Sequence, residues 1–482
     1  MSIPIVDPPG KAYTVTIEKL THGGAGLAHI DGIPVFVPDS IPGQQVEIVI
    51  TKNKESYREA KVTKVLRKAK DEIMPRCSHF HDCGGCVWQN LPYDKQINYK
   101  EDIVRETLEH LTPVEEDVRK SLPGRVLKII PSPQLYHYRN KLEMSFGYQA
   151  MRTEDVNGRR IYFDENPTIG FHQPGQWSTV LPITECHLYD EQIGVLLAAV
   201  RRFMEETRLP VFNPKTQKGL LRTLLLRRGI QTGEQMICFI VHARKKELEP
   251  LFQHFMRHFG GRSHLASLLI VEHLGVNDKP ENPKIHTLIG KPTISERLFD
   301  LQFEISPFSF FQTNTLGAEK LYRAIADAAD LSLRDTVLDA YCGMGTIGQY
   351  LARFCQRVVG IESHPSAIED ALKSAGKNKI SNISFYKGRT EQILKDQLKA
   401  GSKYQFDVIV LDPPRAGLHP KALEAVIEHA PKKIVYVSCN TATLARDLGG
   451  FLKNGYELRT VQPVDLFPHT AHIESVSLLQ KK

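Results

Sequence analysis

Short apolar runs alternate with segments of helical periodicity in the chain beyond about residue 330. The apolar runs are DTVLDAYCG, RVVGIES, ISFYKG, FDVIVLDPP and KIVYVSCN. This alternation predicts βα units that build a parallel sheet with helices on both of its faces. Two later runs, ELRTVQPVDLF and HIESVSLLQ, have no helix between them, so we expect them to pair as antiparallel strands.

Residues 8–70 show a different pattern, in which the β-rich runs AYTVTIEKL, IPVFVPDSI and QQVEIVITK accompany the turn signals HGGAG, DGIP and PGQQ. This spacing predicts a small β-barrel of the OB type, a fold that often binds oligonucleotides. Residues 71–300 are mixed and strand-rich, with an amphipathic helix at about 92–111 that we expect to pack on the C-terminal domain, residues 301–482. The predicted class is therefore α/β, with an N-terminal barrel and a mixed α+β central domain.

The composition is that of an ordinary globular protein, with 41% hydrophobic and 24% charged residues and a formal net charge of +7. We find no signal-peptide pattern in the first residues and no apolar run long enough to span a membrane. We therefore expect a cytoplasmic protein whose 8 cysteines are thiols or metal ligands rather than disulfides.

Basic residues concentrate at the end of the predicted barrel, in residues 51–70. This segment contains only two acidic residues, Glu55 and Glu59. Its eight basic residues are Lys52, Lys54, Arg58, Lys61, Lys64, Arg67, Lys68 and Lys70. A charge run of this kind is commonly a solvated surface. Because it adjoins a predicted barrel and contains Tyr57, we predict contact with an RNA or DNA backbone.

The run VLDAYCGMGTIG predicts a strand, a glycine turn and a helix start. Its glycines Gly343, Gly345 and Gly348 satisfy G-x-G-x-x-G, and Glu362 ends the next predicted strand. This motif alone is compatible with a dinucleotide enzyme or with a purely structural turn. Asp339, just before the turn, is placed to meet an ammonium group.

Polar residues follow several predicted strands of the parallel sheet. Asp412 is followed by two prolines, a rigid element that can hold a planar base against a bound cofactor. Because ligands bind at the carboxyl ends of parallel strands, we expect Asp339, Glu362 and Asp412 to surround one crevice. Cys439, in the run YVSCN, is expected at the same edge of the sheet.

Five motifs in this order, SFFQTNT, DAYCGMGT, LDPPRAG, YVSCN and FPHTAHIESV, resemble those of the uracil-C5 RNA methyltransferases. These enzymes form 5-methyluridine with S-adenosylmethionine. The resemblance is dense over residues 305–480, and the predicted barrel resembles a TRAM domain. It implies a class I, Rossmann-like methyltransferase domain that acts on a flipped uridine in RNA. It also implies an S-adenosylmethionine pocket lined by Gln312, Tyr341, Glu362 and Asp412.

The chemistry of such a reaction requires one thiol and one base. Uracil C5 is a poor nucleophile, but a thiolate that adds to C6 turns the ring into an enolate that can attack a sulfonium methyl group. The C5 proton must then leave before the thiolate is expelled. Cys439 is the candidate nucleophile, and we expect the following helix N-terminus to favour its thiolate form. Glu474 is the candidate base, since burying a glutamate in an apolar strand is costly without a role.

Four cysteines outside the predicted methyltransferase domain form a candidate ligand set: Cys77, Cys83, Cys86 and Cys186. Four thiolates suit tetrahedral zinc or an iron–sulfur cluster, and His79 or His81 is an alternative zinc ligand. In the resembling family, this spacing holds a [4Fe-4S] cluster in members that act on ribosomal RNA. Members that act on transfer RNA typically lack the cluster and the barrel. The resemblance therefore favours large-subunit (23S) ribosomal RNA as the substrate. Cys238, Cys342 and Cys355 are predicted to be core residues.

Other functions fit parts of the sequence. An amino-group methyltransferase on a nucleobase also uses Asp-Pro-Pro, but it needs an aromatic residue where Arg415 stands and has no need of Cys439. A non-catalytic RNA-binding protein leaves the motif residues unexplained, and a nicotinamide dehydrogenase explains only the glycine turn. We expect a monomer that binds RNA, with no membrane contact and no obligate protein partner.

Overall fold

The computed structural model describes residues 11–154, 160–173, 176–275, 277, 280, 283–399 and 405–482. Within these ranges, no helix combines the length and the apolar character needed to cross a membrane.

The N-terminal sheet has a curled, largely antiparallel arrangement, in the order β1-β5-β6-β4-β3-β2. Its strands are β1 (Ala12–Thr16), β2 (Lys19–Leu20), β3 (Gly26–Ile30), β4 (Ile33–Val37), β5 (Gln45–Asn53) and β6 (Arg58–Arg67). Alternate residues such as Val35, Val46 and Ile48 are fully buried and form its core. The basic run lies on the end of β5, on β6 and beyond it, where every basic side chain except Arg58 is exposed.

The central sheet has the order β13-β12-β11-β10-β7-β8-β9, and it follows helices α1 (Tyr93–Leu111) and α2 (Glu116–Ser121). Its elements are β7 (Lys141–Glu154), β8 (Arg160–Gln173), β9 (Gln176–Pro182), α3 (Ile193–Thr207), β10 (Leu221–Arg228), β11 (Gln235–Val241), α4 (Lys245–Leu248), α5 (Phe252–Phe259), β12 (Leu265–Glu272) and β13 (Lys284–Gly290). Helices α3 and α5 pack on the sheet through Phe203, Phe239 and Phe255, whose ring centroids lie 4.7 to 5.9 Å apart. A hairpin of β14 (Ile294–Leu298) and β15 (Leu301–Ile305) follows.

The C-terminal sheet has the order β18-β17-β16-β19-β20-β22-β21. Its elements are α6 (Thr315–Ala329), β16 (Thr336–Ala340), α7 (Thr346–Leu351), β17 (Arg357–Glu362), α8 (Pro365–Lys377), β18 (Ile383–Lys387), α9 (Thr390–Lys399), β19 (Val408–Leu411), α10 (Pro420–His429), β20 (Lys433–Ser438), α11 (Thr441–Lys453), β21 (Tyr456–Val464) and β22 (Glu474–Lys481). Strands β16 to β20 are parallel, so their carboxyl ends meet at one edge.

The predicted parallel sheet and its antiparallel final pair are confirmed. The structure adds that β22 inserts between β20 and β21 and is antiparallel to both. Strand β22 therefore starts at the edge where the parallel strands end. The cysteines Cys238, Cys342 and Cys355 are buried, as predicted for core residues.

Helix α1 has the predicted bounds to within one residue and packs on α11 of the C-terminal sheet. The close contact is visible at Gly449 of α11, where a Cβ atom would lie 2.5 Å from the ring of Pro113. Helix α1 also buries Lys100, which forms an ion pair with Asp465 at 2.7 Å. The loop between β21 and β22 is therefore fixed by a helix from far upstream in the chain.

Candidate active site

Cys439 and Glu474 meet because of the register between β20 and β22. Ser438 pairs with Ser475 in this antiparallel pair, so the residue after Ser438 lies opposite the residue before Ser475. Those residues are Cys439 and Glu474. Cys439 is partly buried, and Glu474 is only 5% exposed. Two residues with no sequence proximity are thus brought together at the carboxyl edge of the sheet.

The Cys439 thiol is harder to ionise than a thiol in water. Burial is the largest cause, and the negative charges of Glu474 and Asp412 add to it, so that its pKa rises to about 11 although Arg415 opposes the shift. Burial and the acidic neighbours outweigh Arg415 in the free protein, and the expected effect of the helix N-terminus on the thiolate stays a prediction. The side chain of Asn440 accepts the first N–H groups of α11, from Ala442 and Thr443.

Three acidic side chains at this edge have raised pKa values. Burial raises the pKa of Asp339 to about 7, with further contributions from Asp412 and Glu362. Burial also raises the pKa of Asp412 to about 7, and burial together with the charge of Asp412 raises that of Glu474 well above its usual value. A pocket with this excess of acidic groups favours a cationic ligand.

Asp339 offers an unused acceptor to such a ligand. Its Oδ2 atom accepts the N–H of Gly348 at 2.8 Å, while Oδ1 is buried and has no hydrogen-bond partner among the described residues. A buried carboxylate oxygen without a donor is costly, so the arrangement fits a ligand that carries an ammonium group.

The glycine turn has the tight geometry that the motif predicts. Gly345 has a φ of 73°, and a Cβ atom there would lie 2.7 Å from the ring of Phe385. A Cβ atom on Gly348 would lie 2.7 Å from Asp339 Oδ2. Glu362 stabilises the turn, because it accepts the N–H of Gly343 at 3.1 Å. The backbone can therefore approach a ligand closely at this edge.

Tyr341 follows β16 directly and adopts a left-handed conformation, with a φ of 63°, that is uncommon for a residue with a side chain. Burial raises the pKa of its hydroxyl to about 12. Gln312 lies on the loop before α6, and its carbonyl oxygen accepts a hydrogen bond from Asn140 at 2.7 Å. Asn314 on this loop donates to the carbonyl oxygen of Leu466 at 2.9 Å, which ties the loop to the segment that leads into β22.

A cavity of about 230 Å³ opens beside Cys439. Arg415 and His472 line it from the C-terminal sheet, and Gly84 and Gly85 line it from the cysteine-rich loop. His22 and Gly23 line it from the N-terminal sheet. Sequence reasoning missed the contribution of His22, because its turn carries no signal beyond two glycines.

The four predicted cysteine ligands line one cavity of about 510 Å³, between the cysteine-rich loop and the central sheet. Burial raises the pKa of Cys83 to about 11 and that of Cys86 to about 12. In the part of the chain that the structure describes, no three His, Cys, Asp or Glu side chains converge closely enough to hold a metal ion. His79 contacts Thr184 through its Nε2 atom at 2.9 Å. The four thiols thus line one common cavity.

Phe310 is another residue that sequence reasoning missed. It lies two residues before Gln312, on the loop that leads into α6, and 68% of its surface is exposed. A large exposed aromatic side chain of this kind offers a surface on which a nucleobase can stack.

Comparison with known proteins agrees with this geometry. Residues 291–482 match the model of the tRNA (Uracil-5-)-methyltransferase family, and residues 9–63 match the TRAM domain. The chain is 36% identical over 458 residues to an uncharacterized RNA methyltransferase of Bacteroides thetaiotaomicron, covering 95% of this chain and 99% of the relative. It is 35% identical over 473 residues to one of Clostridium tetani, covering 98% of both.

A solved structure extends the similarity to three dimensions. The Pyrococcus abyssi tRNA (uracil-54, C5)-methyltransferase, in complex with S-adenosyl-L-homocysteine, matches with a TM-score of 0.72 and 28% identity. The match covers 97% of this chain and 100% of that one. The chain belongs to the S-adenosylmethionine-dependent RNA uracil-C5 methyltransferases and carries a TRAM domain ahead of its central sheet.

Proposed function

We propose that the protein methylates C5 of a uridine in RNA through a covalent adduct between Cys439 and C6 of the base. The observation that carries this proposal is the register of β20 and β22, which sets the Cys439 thiol beside the Glu474 carboxyl. The reaction needs this combination of a nucleophile and a base acting on adjacent ring carbons.

The proposed reaction has three steps: addition to C6, methyl transfer to C5, and elimination. The Cys439 thiolate forms a bond to C6, and the electron pair of the C5–C6 double bond moves onto the C4 carbonyl oxygen as an enolate. C5 then attacks the methyl carbon of S-adenosylmethionine, the bond between this carbon and the sulfonium sulfur breaks, and S-adenosylhomocysteine leaves as a neutral thioether. Glu474 takes the proton from C5, the double bond re-forms, and the bond between C6 and sulfur breaks to release the thiolate.

The proposed donor pocket consists of Gln312, Tyr341, Glu362 and Asp412. It is supported by the position of Tyr341, Glu362 and Asp412 at the carboxyl edge of the sheet and by the buried Oδ1 of Asp339, which has no hydrogen-bond partner among the described residues. S-adenosylmethionine carries an ammonium and a sulfonium group, and both charges suit acidic groups with raised pKa values. Arg415 lowers the pKa of the Cys439 thiol, so a bound cation and Arg415 together favour the thiolate.

Two substitutions test this mechanism. Cys439→Ala is expected to reduce methylation to background, measured as transfer of tritium from labelled S-adenosylmethionine to RNA. Glu474→Gln is expected to form the methylated adduct without resolving it, so that an RNA–protein band accumulates on a denaturing gel. Cys355→Ala removes a thiol buried at the opposite edge of the same sheet and should keep wild-type turnover. Normal turnover in Cys439→Ala would contradict the nucleophile, and normal product without adduct in Glu474→Gln would contradict the base.

For the substrate, we infer large-subunit ribosomal RNA, on the basis of the cysteine set and its resemblance to the cluster-bearing members. Transfer RNA is the second candidate, because the solved structure that matches 97% of this chain is named for uracil-54 of tRNA. Mapping 5-methyluridine by mass spectrometry in both RNAs, from cells with and without the protein, decides between them. Loss of the modification from tRNA alone would overturn the ribosomal assignment.

We also infer that Cys77, Cys83, Cys86 and Cys186 hold a [4Fe-4S] cluster. The support is that all four thiols line one cavity of about 510 Å³, together with the family resemblance of their spacing along the chain. Four cysteine thiolates are the usual ligand set of such a cluster. Anaerobically purified protein should contain about four irons per chain and absorb broadly near about 400 nm. Cys186→Ser should lose both signals, and one zinc with no iron would contradict the cluster.

A further inference from the structure

The wall of the cavity beside Cys439 includes a turn of the TRAM domain. This turn joins β2 to β3 and carries His22 and Gly23. It is held by its own hydrogen bonds: the N–H of Thr21 donates to Ala25 and the N–H of Gly24 donates to Thr21, both at 2.9 Å. The turn therefore presents His22 from a fixed backbone rather than from a mobile loop.

The turn is docked against the loop that leads into β22. Gly24 has a φ of 89°, and a Cβ atom there would lie 2.6 Å from the Cβ atom of Ala471. In β2, just before this turn, Lys19 pairs with Glu106 of α1 at 2.8 Å. The N-terminal sheet thus contacts both α1 and the loop that leads into β22, the strand that begins with the proposed base.

His22 is linked directly to the segment that follows Cys439. Its Nδ1 atom lies 2.9 Å from the hydroxyl of Thr441, the first residue of α11, which is 2% exposed. Among the described residues, none forms a hydrogen bond with Nε2. The side chain remains exposed at the rim of the cavity, where an entering base would meet it.

We propose that His22 binds the target base: Thr441 donates to Nδ1, and the Nε2–H of His22 donates to a carbonyl oxygen of the flipped pyrimidine. This inference rests on the proposed uridine methylation. When the Cys439 sulfur adds to C6, an electron pair moves onto the C4 carbonyl oxygen, and a donor placed there stabilises the enolate. Burial and the charge of Arg415 lower the pKa of His22, which keeps the imidazole neutral with a single ring hydrogen.

The test compares His22→Ala and His22→Gln with a matched control. His29→Ala removes an exposed histidine of the same sheet that pairs with Glu18 at 3.0 Å and does not line the cavity. Three quantities are measured with transcribed 23S ribosomal RNA and transcribed tRNA: single-turnover methylation, RNA affinity by filter binding, and adduct formation with 5-fluorouridine-containing RNA. The last reports on bond formation at C6 independently of proton removal from C5.

His22→Ala should slow methylation and adduct formation by about 10- to 100-fold, the effect of removing one donor to a developing oxyanion. RNA affinity should change much less than either rate, because most affinity comes from backbone contacts. His22→Gln should restore part of the rate through its side-chain N–H, and His29→Ala should match wild type.

Two results would overturn the role of His22. One is His22→Ala methylating as fast as wild type. The other is a rate loss fully explained by an equal loss of RNA affinity, as expected for a phosphate contact. A wild-type protein that methylates neither RNA and forms no adduct would instead refute the proposed function, and the inference would fall with it.

Discussion

Glu474 lies where an ionised carboxyl group is costly. It is 5% exposed, and burial and the charge of Asp412 both raise its pKa well above the usual value. A glutamate of this kind, once ionised, is a stronger base than one in water, which suits removal of a proton from carbon. The same surroundings raise the pKa of Cys439, so both proposed reacting groups are harder to ionise in the free protein than in water.

Phe310 should contribute to RNA binding through base stacking. Phe310→Ala is expected to weaken RNA affinity by about 5- to 100-fold, since stacking of one base on an aromatic side chain contributes about 1–3 kcal/mol. Affinity for S-adenosylmethionine should not change. Filter binding and calorimetry measure the two affinities. Leu333→Ala is the control, because Leu333 is 75% exposed but precedes β16 at the opposite edge of the sheet. Equal RNA affinity in both variants would show that Phe310 does not stack on RNA.

Gly345 should tolerate substitution less well than Gly343, although both have positive φ values. Gly345→Ala adds a contact of 2.7 Å with the ring of Phe385, whereas a Cβ atom on Gly343 meets nothing within 4 Å. We expect Gly345→Ala to lower the free energy of unfolding by about 2–4 kcal/mol and Gly343→Ala by about 1 kcal/mol. Urea denaturation of the unliganded variants measures both. Equal losses would mean that backbone strain, rather than the ring contact, sets the cost.

At the scale of elements, helix α1 holds the loop between β21 and β22. Lys100 donates to Asp465 at 2.7 Å and to the carbonyl oxygen of Phe467 at 3.0 Å, and Tyr93 donates to Asp465 at 2.9 Å. Gln96 accepts the N–H of His469 at 2.8 Å. A helix outside the matched methyltransferase region therefore satisfies the polar groups of the loop that ends at Glu474.

Breaking this ion pair from one side should be costly. Lys100→Met leaves the carboxylate of Asp465 buried without its cation, and we expect a loss of about 3–5 kcal/mol in the free energy of unfolding. The double variant Lys100→Met, Asp465→Asn should recover part of this loss, because neither charge is then buried. Fluorescence of Trp88, whose ring lies 5.8 Å from Lys100, can follow unfolding in a Trp177→Phe background. A double variant less stable than Lys100→Met would contradict this account.

At the scale of the whole molecule, the buried acids link stability and donor binding to pH. Burial raises the pKa values of Asp339 and Asp412 to about 7, so between about pH 4 and pH 7 the folded state holds more protons than the unfolded state. These groups therefore lower the stability of the free protein as the pH rises through this range.

The same linkage predicts that affinity for S-adenosylmethionine increases with pH. Binding of a cation is stronger once the acids are ionised, and each coupled proton changes affinity by up to about tenfold per pH unit. Calorimetry at pH 5.5 and pH 8 measures the change. S-adenosylhomocysteine lacks the sulfonium charge and should show a smaller increase, as should the Asp412→Asn variant with S-adenosylmethionine. A pH-independent affinity would show that the acids do not respond to the donor's charge.

The sequence predicted those features that have a local signature. Alternating runs predicted the parallel sheet, and polar residues after its strands predicted the edge where Asp339, Glu362 and Asp412 lie. The cysteine pattern predicted one shared site for four cysteines, including the distant Cys186, and all four line one cavity. Each of these follows from short-range patterns combined with the rule that parallel strands end at one edge.

Features set by long-range contacts could not be read in this way. The register that places Cys439 beside Glu474 depends on β22 inserting between β20 and β21, and no local pattern encodes that pairing. The raised pKa of Cys439 depends on its burial in the folded protein and on two acids, Glu474 and Asp412, from other strands. His22 reaches the cavity only because an entire sheet docks on the loop before β22.

The residues at and around the candidate active site come from distant parts of the chain, which has a consequence for biosynthesis. Glu474 emerges from the ribosome long after His22, once the whole central sheet has been translated. Domains generally fold in the order in which they are made, so the TRAM domain can fold while the nascent chain still lacks Glu474. Strands β20 and β21 pair only through β22, so the edge that brings Cys439 and Glu474 together forms only once this strand has been translated. A nascent chain with a folded TRAM domain therefore still lacks the candidate active site.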